Sequence, residues 1–272
     1  MGNAVVDTLG KPFTQQDVLR LESAFLKGEQ VDCPVTHHFG PGVYIREVLM
    51  PTGACVIGHD HKHAQFNIML TGKLTLIHSD GSRTDMTAPQ TFVGKPGKKI
   101  AYIHEDVRWQ NVYATTETDV ETLEAWLYEP SDNLAATRLL LSSNRSEDRE
   151  DYERARAEFG GNCPMDTDGE VIPMPHGSYK MLVSDSPIHG KGIFSSAEIA
   201  AHELIAPARI DGRWTSAGRF ANHSANANAE FVRGDNGDIF LFAKNDIAGC
   251  RGGILGDEIT LDYRHAVPIG AF

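Results

Sequence analysis

The sequence predicts a mainly β protein of two domains joined by a helical linker, and three observations predict it. Between Val43 and about Glu129 the chain runs in short alternating or apolar segments, VYIREVL, ACVIG, KLTLI and EAWLY, broken by PTG, SDG and PGK turns. That spacing is the pattern of an antiparallel barrel or sandwich. From residue 131 to 160 the pattern gives way to a stretch ending in SEDREDYERARAEF, dense in charge and in helix formers. Strand-like runs return from Tyr179, as YKMLV, GIF, DIFLFAK and EITLDY, separated by Gly- and Asn-rich turns. The expected divisions are residues 1–130, 131–178 and 179–272.

Ahead of the first strands, residues 14 to 27 read as a helical arm. Thr14 and Asp17 have the spacing of a capping box, Val18, Leu21 and Phe25 share a face, and Gly28 is a stop. The charged stretch after residue 145 reads as a connecting helix stopped by Gly160 and Gly161. With 272 residues, 41% of them hydrophobic, the chain is long enough for two buried cores. A net charge of −12 argues against a nucleic-acid partner, because a surface that tracks phosphates needs a local excess of Lys and Arg. It leaves open basic, lysine-bearing partners. Cys33, Cys55, Cys163 and Cys250 form no C-x-x-C pair, so neither a zinc ribbon nor a disulfide framework is expected, and a reducing compartment is. No apolar run is long enough to span a membrane. The start MGNAVVDTLG has no signal-peptide pattern, and Val6 stands where a myristoylation signal wants Ser or Thr. A soluble protein of the cytoplasm is the expectation.

In GHDHKHAQFN, His59, His61, His63, Gln65 and Asn67 fall at every second position, so on a strand all five side chains share one face. Three imidazoles on one face, with an amide and a ligand from elsewhere, suit a divalent transition metal. The alternative is a polar strand face hydrogen-bonded to its neighbours, or an exposed histidine-rich edge.

These residues carry a family resemblance. Gly53, five residues, His59-x-His61, three residues, Gln65, six residues and Gly72 resemble the first motif of the cupins, with Gln65 in place of the family's Glu. The second motif is loosely similar to KPGKKIAYIHEDVRWQN, where Pro96 and Gly97 fit and His104 falls late. The resemblance implies a cupin-like antiparallel β-barrel in which His59, His61, Gln65 and His104 hold a metal. Because Gln65 brings no charge, that site should bind a cation less tightly than one with Glu. The stretch HHFGPGVYIREVLMPTG is also similar to cupin-like proteins of tailed bacteriophages, which implies a virion as an alternative location.

In the last third of the chain three motifs occur in a telling order: HGKGIF (His189 to Phe194), RFANHSANAN (Arg219 to Asn228) and GDEITLDY (Gly256 to Tyr263). Singly, each has a plain reading as a turn, a hydrogen-bonded loop and a core tyrosine. Jointly they resemble the SET-domain lysine methyltransferases over roughly residues 177 to 265. The resemblance implies a compact SET-type β fold that uses S-adenosylmethionine to methylate a lysine-bearing protein. Gly190, Lys191 and Gly192 would contact the cofactor through backbone, and Asn222 and His223 would hold its adenine and amino-acid parts. Tyr263 would be the catalytic residue beside the departing methyl. Leu261 stands where the family has an aromatic residue that sets how many methyls are added. The family's flanking cysteine clusters are missing, so the tail from Arg264 to Phe272 is expected to help cover the cofactor. On alternation, Ile259, Leu261 and Tyr263 should share one strand face.

Two functions therefore stand foremost at this point, ahead of a cupin dioxygenase or isomerase with an accessory second domain. One is a protein-lysine methyltransferase with a cupin docking or metal-binding module. The other is a structural or decoration protein of a phage-like particle that keeps both folds as interaction modules. In either case a homo-oligomer or a place in a larger assembly is expected.

Overall fold

The computed structural model describes residues 12–136, 146–159, 171–252 and 255–266. Outside them lie the start of the chain, Gly160 and Gly161 with the helix stop expected there, Cys163, and the tail beyond residue 266. The chain is mainly β and divides into two compact units: Met1–Thr116 with Thr122–Arg138 and Arg251–Ile254, and Glu117–Glu121 with Leu139–Cys250 and Leu255–Phe272.

In the first unit, helix α1 (Gln15–Leu26) begins at the expected capping box. Thr14 Oγ1 accepts from the Asp17 N–H, and the Asp17 carboxylate accepts from the Thr14 N–H at 2.9 Å. Its buried Val18 packs on Ile77 and Ile100. Glu22, also buried, takes the Lys98 ammonium at 2.5 Å.

Seven strands follow: β1 (Val35–Gly40), β2 (Val43–Met50), β3 (Cys55–Ile57), β4 (Gln65–Ile77), β5 (Arg83–Thr87), β6 (Gln90–Gly94) and β7 (Ile100–Ala114). All pair antiparallel, in the order β5-β4-β7-β2-β1. The long strands β4 and β7 form the spine. The free edge of β4 takes β6 along its first half and β5 along its second, while β7 takes β3 and then β2. Two short strands along each long one require the spine to bend. The bend falls at Gly72, where the β4–β7 register shifts. Gly72 has φ +88°, and a Cβ there would lie 2.3 Å from the Asp106 carbonyl oxygen, so only glycine lets the strands approach this closely. Met69, Leu74, Met86, Ala101, Ile103 and Val107 fill the core beneath.

The sequence reading of EAWLY as a strand is corrected. Residues 124–127 lie in helix α2 (Val120–Leu127), whose Val120, Leu123 and Leu127 are buried. Their spacing of three and four residues outweighs the local aromatic and apolar content.

In the second unit, the charged stretch forms helix α3 (Ser146–Glu158), and a short strand β8 (Gly177–Tyr179) follows. One sheet then has the order β13-β16-β10-β9, from β9 (Met181–Asp185), β10 (Lys191–Ser195), β13 (Asn222–His223) and β16 (Glu258–Leu261). β13 runs parallel to β16 and the other pairs are antiparallel. A second, antiparallel sheet has the order β12-β11-β15-β14, from β11 (Leu204–Ile210), β12 (Arg213–Trp214), β14 (Ala229–Arg233) and β15 (Ile239–Ala243). Helix α4 (Ser216–Arg219), capped by Thr215, leads into β13, and β16 runs into helix α5 (Tyr263–Ala266). The expected alternation through EITLDY therefore ends early. The strand stops at Leu261, its residues are buried throughout, and Tyr263 opens a helical turn.

Candidate functional site

The second unit brings the three C-terminal motifs to one place. Asn222 on β13 donates its side-chain amide to the carbonyls of His189 (3.1 Å) and Lys191 (3.0 Å) and to the Glu258 carboxylate (2.9 Å). It thus fastens the HGKG turn to the central sheet. Asn228, the downstream asparagine of the second motif, brackets β16 in the same way, donating to Glu258 O and accepting from Thr260 N–H, each at 2.9 Å.

His223 is fully buried and uses both ring nitrogens. The Tyr263 backbone N–H donates to Nδ1 at 3.1 Å, which makes Nδ1 an acceptor and leaves the proton on Nε2. Nε2 lies 2.8 Å from Asp151 Oδ2 of helix α3. Asp151 also receives Arg154 and Arg264. Burial works against its charge, but the hydrogen bonds from His223, Arg264 and Arg154 hold its carboxyl below the ordinary value. Tyr263, 2% exposed, donates its hydroxyl to the Ala221 carbonyl at 3.0 Å. The ring of Tyr152 on α3 stacks on His189 (4.7 Å between centroids) and meets Tyr263 edge-on at 6.3 Å.

A cofactor can approach this cluster at the backbone of the HGKG turn. Gly190 has φ +50° with nothing within 4 Å of a built Cβ, so its flank is open, whereas a Cβ on Gly192 would strike Glu258. Of the residues expected to contact the cofactor, Asn222 and His223 by side chain and Lys191 by backbone, all three engage the protein itself through their side chains. Asn222 and His223 are turned onto protein partners. The Lys191 ammonium is held by Glu121 (2.5 Å) and Asp185 (2.9 Å), and those carboxylates raise its pKa. These three fit a positioning role, with the turn's backbone presented outward. The tail expected to help cover the site is described only as far as Ala266. Arg264, first residue of the tail, points its guanidinium to Glu158 and Asp151 of helix α3, and residues 267–272 lie outside the described ones. Helix α3, with Asp148 on Ser224, Asp151 on His223 and Tyr152 on His189, was missed as part of this site. Its only signal was an Asp, an Asp and a Tyr at helical spacing within a stretch that reads as a solvated linker.

The first unit corrects the metal site. The row of five alternating side chains does not exist, because β4 starts only at Gln65 and residues 58–64 are a loop. In that loop His59 stacks on Tyr128 (4.3 Å), His61 meets the same ring edge-on (5.0 Å), and His63 is exposed beside Trp126. His104 sits on an exposed position of β7 with its Nε2 2.7 Å from Thr75 Oγ1. His59, His61, Gln65 and His104 therefore do not converge. Among the described residues no three His, Cys, Asp or Glu side chains form a group that could hold a metal ion.

What lines the inner face of this sheet is a different set. Cross-strand register aligns His37 on β1, Arg46 on β2, Asn111 on β7 and Asn67 on β4 in one continuous row. Asn111 donates to Asn67 at 2.6 Å. One step along, Tyr44 and Tyr113 stack at 5.9 Å, Tyr44 OH lies 2.8 Å from His37 Nδ1, and Tyr113 OH lies 3.3 Å from His61 Nδ1. Burial, with Arg46 nearby, drives His37 down to about 3 and His61 to about 4, so both are neutral at physiological pH. Burial opposes the charge of Arg46, yet Tyr128, Tyr44 and Glu124 around it outweigh that effect and raise its pKa. A permanent cation among neutral imidazoles is a poor host for a divalent metal, and this donor set does not fit one.

No protein-family model and no curated protein matches the sequence. Among solved structures the chain is similar to a cupin-2 domain protein from Shewanella frigidimarina, at 13% identity over 35% of this chain and 91% of that one, with a TM-score of 0.26. It is similar as well to an RmlC-like cupin with a double-stranded β-helix fold from Methanocaldococcus jannaschii, at 16% identity over 31% and 82%, TM-score 0.27. A third is the ectoine synthase of P. lautus, at 14% identity over 37% and 79%, TM-score 0.29.

Proposed function

We propose that the chain is an S-adenosylmethionine-dependent protein-lysine methyltransferase, with the SET-like site in the second unit and a cupin-like docking module in the first. One observation carries the reading: motifs separated by roughly thirty to forty residues, HGKG, NH and DY, meet through the Asn222, His223 and Tyr263 hydrogen bonds. When bound, S-adenosylmethionine supplies an electrophilic methyl group. The chain's own residues do the remainder. The HGKG backbone, open at Gly190, is the surface the cofactor lies against. Asn222 holds that turn in place, and His223 fixes the backbone at Tyr263. The Tyr263 hydroxyl donates its proton to Ala221 O, so toward the incoming lysine its oxygen would act as an acceptor of an N–H. The lysine must arrive neutral, and an aromatic, water-poor surround such as Tyr152 and Tyr263 favours the neutral amine.

The test is calorimetric titration with S-adenosylmethionine together with methyl transfer to lysine-bearing protein. Micromolar binding is expected. Tyr263→Phe should retain it while turnover falls by roughly two to three orders of magnitude. The second reading, a structural protein of a phage-like particle, draws on the inward-turned Asn222 and His223, which would serve a scaffold equally well. An absence of cofactor binding at millimolar concentration would select it.

A further inference from the structure

The inner face of the first unit holds polar atoms that the protein leaves unanswered. His37 Nε2, Arg46 Nε, Gln65 Oε1 and Tyr128 OH are all sealed from solvent and make no hydrogen bond among the described residues. His37, Gln65 and Tyr128 are 1%, 5% and 6% exposed. Arg46 makes no ion pair there either; Glu124 acts on it only at a distance. The phenols of Tyr113 and Tyr128 are near enough to perturb each other, but Tyr128 makes no hydrogen bond of normal geometry.

Leaving one such atom buried costs about 1–3 kcal/mol, and more for a charged group, so four of them, one on an arginine, is not how a purely structural core is built. The register places the first three, on His37, Arg46 and Gln65, on one face of the sheet. His37 and Arg46 are direct cross-strand partners, Asn111 is the next, and Gln65 lies two residues from Asn67 on the same strand face. Tyr128 reaches the row beside His61 and Tyr113. Arg46 and His61 keep part of their side chains accessible, which provides a way in.

We infer that this row binds a small organic carboxylate that also carries a hydroxyl group. Arg46 supplies the cationic fork for the carboxylate, with the Tyr128 hydroxyl as a further donor. Where Tyr44 donates to His37 Nδ1, His37 Nε2 presents a third N–H. Gln65 Oε1 is the one acceptor, and it requires a donor on the ligand, which the hydroxyl provides. The stacked Phe39, Tyr44 and Tyr113 give the site a flat aromatic wall that admits a planar carboxylate and favours a small ligand. The site is independent of methyl transfer in the second unit.

The experiment is titration of the full chain with lactate, propionate, lactamide and inorganic phosphate, followed by isothermal calorimetry and by the shift in Tm. Lactate should bind at least tenfold more tightly than lactamide, which lacks the charge, and several-fold more tightly than propionate, which lacks the hydroxyl. Arg46→Met should abolish the lactate response while leaving the apo Tm unchanged or higher, since it removes an unpaired buried cation. Tyr128→Phe, a change that keeps charge and shape, should weaken lactate several-fold and serves if the Arg46 variant does not fold. The inference is overturned if no carboxylate binds at millimolar concentration, if lactamide or phosphate binds as well as lactate, or if neither variant alters lactate binding.

Discussion

Replacing Asp151 with alanine should destabilise the second unit by about 2–3 kcal/mol, because it removes the charged acceptor of a buried, fixed-tautomer imidazole. The magnitude follows from the geometry. The Tyr263 N–H occupies His223 Nδ1, so the ring proton must sit on Nε2 and needs an acceptor, which among the described residues Asp151 supplies at 2.8 Å. With Asp151 gone, the nearest polar neighbour of Nε2 is Arg264 Nη1 at 3.1 Å, a second donor, so the ring cannot be satisfied by a small shift. Asp151→Asn keeps one acceptor oxygen but turns an amide toward Arg154 and Arg264, and should lie between wild type and alanine. Urea unfolding read through Trp214, in a Trp109→Phe, Trp126→Phe background, isolates the second unit. The pH dependence gives a separate check. Asp151 has a folded pKa below its unfolded value, so its contribution is fully present above an unfolded pKa of about 4 and is lost as pH falls through the folded one. The gap between wild type and Asp151→Ala should therefore narrow as pH falls below about 4. A difference under about 0.5 kcal/mol at neutral pH, the size of an ordinary surface change, would refute the tautomer argument.

Gly72→Ala should cost about 3 kcal/mol in the first unit, from positive-φ strain and the clash with Asp106 O, and a loss under about 1 kcal/mol in urea unfolding would mean that the spine does not depend on that approach. Lys98→Met should cost about 3 kcal/mol by leaving the buried Glu22 carboxylate, among the described residues, with Ser131 and Asn133 alone, and the double change with Glu22→Leu should recover most of it. Tyr263→Phe should leave thermal stability within about 1 kcal/mol of wild type, the worth of one hydrogen bond to Ala221, while methyl transfer drops as stated above.

Features encoded by neighbouring residues were legible in the sequence. The Thr14–Asp17 box, the glycines at the 53, 81 and 97 turns, all with positive φ, and strands β2, β10 and β15 each announce themselves within a few residues. The meeting of the three C-terminal motifs was legible through resemblance, and the hydrogen bonds supply its physical basis. What failed depended on partners distant in sequence. His59, His61 and His63 alternate as a strand would, but the chain there is pinned as a loop by pairings of His61 with Gly97 and Tyr128. Nothing local in VYIREVL marks Arg46 out, and its place beside His37 and Asn111 is set by the cross-strand register. EAWLY resembles a strand by composition until Val120, Leu123 and Leu127 are seen to share a buried helical face.

The cluster around Tyr263 also has a consequence that the motifs do not contain. Its backbone N–H is held by His223 Nδ1, the His223 tautomer is held by Asp151, and Asp151 lies on α3 together with Tyr152, whose ring packs against Tyr263 and His189. The orientation of Tyr263 is therefore fixed by a helix that precedes the first motif by some thirty residues. A fragment starting at residue 177 would keep HGKG, NHS and DY yet expose His223 Nε2 and strip the aromatic packing from Tyr263. If methyl transfer is the function, residues 146–158 belong to the catalytic unit, and activity should follow the integrity of that helix as closely as it follows Tyr263 itself.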